Sequence, residues 1–243
     1  MRTAVIIPTY NRAAFLPHAI GSVLRQGAVD EIDVIVVDDG SQDGTPAVLA
    51  ALARDHANLL VVRQANAGVA AARNAGLAAL TARHDLVSFL DSDDVMPAGR
   101  IAADAAVLRD RPELDLTYGR MLLVDALDYA RLAPTEGARR ADVVGISLSA
   151  ALMRRRVIER VGRVDESFRQ AEDTDYLLRV FEAGLRFEQT ATVCVYYLQH
   201  GANMTRDLAE VRRYFVRALH LSVRRRAADP ALRLVKPDFA LAP

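Results

Sequence analysis

The first 94 residues repeat one rhythm, a short β-branched run followed by a longer stretch with helical spacing. Residues 4–7 lead into 13–26, 32–37 into 45–53 and 59–62 into 69–82, and the run 86–90 closes the series. Short apolar runs separated by helix-length segments are the βαβ signature of a mostly parallel sheet with helices on both faces. Strands of this kind end at a common edge. The polar clusters after Ile7, Val37, Val62 and Leu90 are therefore expected to gather around one crevice.

The cluster after Leu90 carries the most chemistry. Asp91-Ser92-Asp93-Asp94 sets three carboxylates at the end of a buried run, where they repel one another and ask for a cation. A hard divalent ion suits them, because Mg²⁺ and Mn²⁺ take oxygen ligands and complete their shells with substrate phosphates. The competing reading is a helix cap, with Asp93 or Asp94 starting the helix that follows Pro97.

Pro8-Thr9-Tyr10-Asn11 follows the first strand and Asp38-Asp39-Gly40-Ser41-Gln42-Asp43-Gly44-Thr45 the second. Neither is a phosphate loop: there is no Gly-rich turn with Lys-Ser/Thr and no GxGxxG. A strand-end carboxylate can instead accept hydrogen bonds from a base or ribose, and an aromatic ring beside it can stack on a base. Tyr10 and Asp39 suit a pyrimidine nucleotide, whereas Asp43 and Thr45 read as turn and cap residues. The stretch from Asn66 and Gly68 to Gly76 opens the third helix, where N-terminal amides favour an anion. Arg73 offers a fixed fork of donors there, unless it is an ordinary surface ion-pair residue. Glu172-Asp173-Thr174-Asp175 holds more acid than capping requires, which makes a general base a candidate. The helix N-terminus would stabilise its anion, while neighbouring Glu172 and a bound diphosphate would favour the protonated form.

Beyond Pro97 the pattern changes. A helix runs to about Arg109, followed by two weaker strands at 116–118 and 121–124 and a polar, mobile loop over 125–142. Helical spacing returns at 153–161 and at 174–183, the latter ended by Gly184. A strand pair covers 187–198, and 208–227 reads as a helix with six arginines, followed by an unassigned segment. His200 follows the aromatic-rich run at 196–198; if it faces the Asp91 edge, its imidazole makes the site more Mn²⁺-like. His18, His56, His84 and His220 read as structural or solvated.

A chain of 243 residues with 51% hydrophobic and 26% charged residues suits one sizeable α/β domain. Zero formal net charge gives no sign of nucleic-acid binding, and the longest apolar runs are too short to span a bilayer. Met1-Arg2-Thr3 leads straight into a strand, without the apolar stretch and cleavage site of an export signal, so a cytoplasmic location is expected. The single Cys194 excludes an internal disulfide and reads as a buried structural thiol.

Taken in order, the segments at 5–12, 37–45, 66–76 and 89–94, continuing through 155–165, 172–175 and His200, resemble the family 2 glycosyltransferases of the GT-A fold. The likeness spans roughly residues 3–205. It implies a Rossmann-like, mostly parallel sheet with a smaller acceptor-side subregion: one domain over 1–206, with a nucleotide-binding half (1–95) and an acceptor half (96–206), then a basic helix and tail (207–243). It also implies inverting transfer of a sugar from a nucleotide diphosphate, a UDP-sugar above all, to a glycan, lipid-linked or other hydroxyl acceptor, in cell-surface polysaccharide biosynthesis. By matching position, Pro8, Tyr10, Asp39, Asn66, Gly68, Arg73, Asp91 and Ser92 would hold the nucleotide. Asp91-Ser92-Asp93 is the DXD motif. Asp93, with His200 as a further ligand, would bind Mn²⁺ or Mg²⁺, Asp173 would be the catalytic base, and Glu172 and Asp94 would support the acceptor side or the metal shell. Processive members carry QxxRW and transmembrane helices; this chain lacks the motif and has no Trp, which points to the addition of one or a few sugars. Donor and acceptor specificity is expected in 95–170. A non-catalytic sugar-nucleotide-binding scaffold and a nucleotidyltransferase are the rival functions. For the arginine-rich helix a solvated face, a homodimer contact and a peripheral contact at the inner membrane face all stand open.

Overall fold

The computed structural model describes residues 1–26, 32–200 and 208–241; residues 201–205, the end of the likeness noted above, lie outside them. The first half follows the sequence pattern closely. Strand β1 (Thr3–Thr9), helix α1 (Leu16–Leu24), β2 (Ile32–Asp38), α2 (Thr45–Asp55), β3 (Leu59–Arg63), α3 (Val69–Ala78) and β4 (Leu86–Phe89) alternate, and β4, β1, β2 and β3 lie side by side and parallel. Every residue of β1, β2 and β4 is buried, as helices on both faces require. Helix α3 lies close on β1 because Gly76 faces it: a Cβ there would stand 2.4 Å from Ile6 Cγ2.

The second half departs from the expected pattern. After α4 (Arg100–Asp110), β5 (Leu116–Val124) is one nine-residue strand rather than two. Between the two strands expected at 116–118 and 121–124, Gly119 marks a close strand approach, since a Cβ at that position would meet Cys194 Sγ at 2.4 Å and Thr192 O at 2.5 Å. The stretch expected to be a loop contains a small hairpin, β6 (Leu127–Asp128) with β7 (Ala133–Pro134), and then β8 (Arg140–Val144) antiparallel to β5. Exposure of Arg140 and Ala141 gives β8 little apolar signature. A 3₁₀ turn (Leu148–Ala150) leads to β9 (Ala151–Arg154), and only then to α5 (Arg155–Val161), so 153 and 154 are strand, not helix. An apolar run buried between β4 and β5 has no periodicity that separates the two states.

Helix α6 (Glu172–Glu182) precedes β10 (Phe187–Leu198), a single strand parallel to β5 with register shifts between Gln189 and Val195 where a strand pair was expected. Helix α7 (Leu208–Ala228) packs on α6, and β11 (Ala240–Leu241) adds to β8. Among the described residues the main sheet runs β11-β8-β5-β9-β4-β1-β2-β3, with β10 paired to β5. The fold is thus α/β with a mostly parallel central sheet. Cys194 is buried, as its apolar setting suggested, and His84 is held by Asp33 at 2.9 Å. No helix among the described residues is long and apolar enough to cross a membrane.

Candidate active site

The loops leaving β1, β2, β3 and β4 converge on a pocket of about 500 Å³, closed on its other side by the N-terminus of α6 and by Met121, Ile146, Ser147 and Tyr197. Pro8, Tyr10, Asp39, Asn66, Gly68, Arg73, Asp91, Ser92, Asp93, Glu172 and Asp173 all line it; Asp94 and His200 do not. Tyr10, 43% exposed, leaves an aromatic face available at the pocket wall.

Short polar side chains hold the first two loops together. Asn11 sits in left-handed backbone (φ 51°), its Oδ1 accepts from the Gln42 amide at 2.8 Å, and its own amide donates to Ser41 Oγ at 2.9 Å. Ser41 N in turn donates to Asp38 Oδ1 at 2.9 Å. Gly40 lies at φ 77°, where a Cβ would stand 2.8 Å from Asn66 N, so only glycine lets these two turns touch. Asp39 organises the third loop: Oδ1 accepts from Gln64 Nε2 (2.7 Å) and Ala67 N (2.9 Å), and Oδ2 from Gly68 N (2.9 Å). Asn66 Nδ2 donates to the Asp39 carbonyl at 2.9 Å. Oδ2, with one partner, keeps acceptor capacity for a second donor.

Arg73 is no surface residue. Its guanidinium is buried between Glu172 Oε1, which Nη1 reaches, and Asp91 Oδ1, 2.9 Å from Nη2. Burial works against its charge, but the carboxylates of Glu172, Asp91 and Asp173 outweigh it and hold the group protonated. Nε has no hydrogen-bond partner among the described residues. Arg73 thus joins α3, the end of β4 and the start of α6.

Asp173 is the second residue of α6, which Ala171 enters from left-handed backbone (φ 57°). Its Oδ1 accepts from the Thr174 amide at 2.7 Å. Burial, then the charge of Glu172, push its carboxyl up to about 7 against the pull of Arg73. The competition foreseen at this helix start thus goes to desolvation and like charge over the helix terminus. A carboxyl titrating near neutrality on a pocket wall can take a proton from a hydroxyl.

At the end of β4 the three aspartates have different settings. The helix-cap reading fails: α4 begins at Arg100 and its cap position is Gly99, beyond both Asp93 and Asp94. Asp94 is buried away from the pocket and its Oδ1 accepts from Leu198 N at 3.0 Å, fastening the end of β10. Burial, then Asp91 and Asp93, drive the Asp94 carboxyl well above its ordinary range. Asp91 is also raised, by burial first and by Asp93 and Glu172, with Arg73 opposing. Asp93 Oδ2 lies 3.1 Å from His200 Nε2 and 3.4 Å from Arg12 Nε. His200 is stacked on Phe15, ring centroids 4.9 Å apart. Oxygen donors, one imidazole and excess negative charge fit a hard divalent cation. Among the described residues no group of three or more His, Cys, Asp or Glu is gathered that could hold an ion.

Sequence reasoning missed Arg12, Phe15, Gln170 and Tyr197. Arg12 directly follows the Pro8 to Asn11 loop, Phe15 lies four residues beyond Asn11, Gln170 precedes the Glu172 cluster and Tyr197 adjoins the segment of His200, so proximity to a recognised cluster was the available signal. Nothing in the sequence marks Met121, Ile146 or Ser147.

Residues 4–120 match the model of glycosyl transferase family 2. The succinoglycan biosynthesis protein ExoU of Rhizobium meliloti is 31% identical over 208 residues, covering 76% of this chain and 58% of that protein. The chain covers between 21% and 58% of the length of the first relatives it matches. Among solved structures, S. aureus TarS in complex with UDP-GlcNAc has a TM-score of 0.72 at 21% identity, covering 91% of this chain and 65% of TarS. A mannosyltransferase from Pyrobaculum calidifontis, in complex with GDP-Man and Mn²⁺, has a TM-score of 0.69 at 21% identity, covering 92% and 64%. At these identities the structural likeness shows the fold.

Proposed function

Because this chain belongs to glycosyl transferase family 2, we propose that it transfers a sugar from a nucleotide diphosphate, a UDP-sugar, to a hydroxyl acceptor with inversion. The observation that carries the reading is Asp173: a carboxyl raised to about 7 stands in the wall of the pocket that gathers the loops of four parallel strands. A carboxylate whose pKa lies near the working pH combines a usable unprotonated fraction with enough basicity to take a proton.

In this reading the Tyr10 ring stacks on the uracil and Asp39 Oδ2 accepts its N–H, with Pro8, Asn66 and Gly68 shaping that end. Arg73, Asp91 and Ser92 take the ribose and diphosphate side. Asp173 removes the acceptor proton while the acceptor oxygen attacks the anomeric carbon opposite the leaving diphosphate, and a single displacement inverts that centre. Glu172 keeps Asp173 basic. Asp93 and His200 would hold Mn²⁺ or Mg²⁺, supported by Asp91 and Asp94, and a bound ion offsets the negative charge of the leaving diphosphate. The division into a donor half (1–95), an acceptor half (96–206) and a C-terminal element (207–243) belongs to this proposal. It is supported by the change from parallel strands to the antiparallel β9 and β8. Non-processive action, a glycan or lipid-linked acceptor, work in cell-surface polysaccharide synthesis and a location on the cytoplasmic side also belong to it. ExoU's name as a succinoglycan biosynthesis protein supports the polysaccharide role, and TarS's binding of UDP-GlcNAc supports a UDP-sugar donor.

The test is nucleotide release across a panel of UDP- and GDP-sugars with mixed acceptors, with and without Mn²⁺. Asp173→Asn is expected to lower the rate by about 10²–10⁴-fold while UDP binding by calorimetry survives. Tight donor binding without turnover across the panel would replace the proposal with a sugar-nucleotide-binding scaffold. Pyrophosphate release from a nucleoside triphosphate would make it a nucleotidyltransferase.

A further inference from the structure

Helix α7 has two unlike faces. Its inward face, Tyr214, Ala218 and Ser222, is buried, and Arg225 reaches from it to Asp175 Oδ1 and Glu182 Oε2, each at 2.8 Å. The outward face is apolar and uncovered: Leu208, Phe215, Val216, Leu219 and Val223 are exposed, Val216 by 62% and Val223 by 57%. At about 100° per residue these five fall within an arc of roughly 100°. Arg212 lies inside the arc, and Arg213, His220 and Arg224, all exposed, form its border. The helix has one acid, Glu210, on the far side of that border and paired with Arg213.

We infer that this face is a docking surface for a bilayer with anionic headgroups. An apolar stripe bordered by arginine is what an interfacial helix presents: the stripe enters the acyl boundary while the guanidinium groups reach phosphate. A second copy of the chain is disfavoured by the same charges. Two such faces related by a two-fold axis would bring Arg212, Arg213 and Arg224 together with no carboxylate on either face to neutralise them. The surface also connects to the pocket. Arg217 of α7 donates to Ser167 O at 2.9 Å and to Ser167 Oγ at 2.7 Å, and its guanidinium lies 4.4 Å over the Phe168 ring. Gln170 and Ala171, next along that segment, line the pocket. The inference goes beyond the donor-site reading and does not depend on it.

The full chain should co-sediment with vesicles of phosphatidylcholine and phosphatidylglycerol mixed about 2:1, lose binding in high salt and ignore pure phosphatidylcholine. Arg212→Glu with Arg224→Glu, and separately Val216→Ser with Val223→Ser, should each weaken partitioning by on the order of 100-fold. Neither pair should alter nucleotide release measured without vesicles, nor the melting temperature. Absence of sedimentation with the anionic vesicles overturns the inference, as does undiminished binding by both folded double variants. A concentration-dependent dimer that Val216→Ser with Val223→Ser dissolves would assign the face to a second copy instead. Because the vesicle measurement needs no donor, a failure of the glycosyltransferase reading would leave its outcome unchanged.

Discussion

The two walls of the pocket are held by different means. The donor-side wall is a set of turns at the ends of parallel strands, tied by Asn11, Asp38, Asp39, Gly40 and Asn66 over sequence separations of about thirty residues or fewer. The opposite wall is the start of one helix, α6, braced along its length by groups from elsewhere. Arg179 donates to the carbonyls of Val161 and Arg163, and Arg225 of α7 clasps Asp175 and Glu182. Arg73 is the joint between them. The contrast teaches that a site can have one wall specified by local turn chemistry and the other by tertiary ion pairs, and that the two should fail separately.

Breaking the joint should have the largest effect on stability. Arg73→Met leaves Glu172 and Asp91 facing each other without a counter-charge, and removal of one partner from a buried pair costs about 3–5 kcal/mol. Urea denaturation should show that loss; a change below about 1 kcal/mol would mean the carboxylates find other partners. The brace comes next. Arg225→Met should lower stability by about 2 kcal/mol, discounted because the guanidinium is partly exposed and because Asp175 keeps Arg179. UDP affinity should be unchanged, since the donor wall does not feel it. If affinity and stability fall together, the walls are not independent.

Gly40→Ala tests the other side. It forces alanine into left-handed backbone against Asn66 N and should cost about 1–2 kcal/mol. Calorimetry should show weaker UDP binding, with the tyrosine signal of the α6 and α7 pair unaltered. The smallest effect is a shift in pH dependence. Asp173 must be unprotonated to act as a base, so kcat/KM should rise with pH and level off above about 7. Because the Glu172 charge holds that carboxyl up, Glu172→Gln should move the rise to lower pH; a shift to higher pH would remove Glu172 from the cause.

The same contrast governs what was readable in advance. The donor wall was legible because each of its parts is a short motif after a buried run. A Pro-Thr-Tyr-Asn turn, Asp-Asp-Gly and Asp-Ser-Asp-Asp keep their meaning wherever the rest of the chain goes. Beyond Pro97 the local signal is weaker. Ala151-Leu152-Met153 is equally apolar as strand or helix, Gly119 lies between two expected strands that are one, with Cys194 against it, and β8 has exposed positions that read as loop. Asp94 shows the limit from the other direction. Its residue type was recognised, but its partner, the amide of Leu198, lies 104 positions away. Glu172 and Asp173 were found as an acidic excess, whereas the brace behind them depends on Arg225, one of six arginines in a helix with no mark to distinguish it.

Ala171, immediately before the two acids, holds left-handed backbone where glycine would be more comfortable. Glycine would relax this residue by roughly 1 kcal/mol, but it would also give the unfolded chain many more conformations to abandon on folding. Alanine gives up local comfort for a narrower choice of directions. The chain can leave this position in few ways, and that restriction aims Glu172 at Arg73 and Asp173 at the pocket before any ligand arrives.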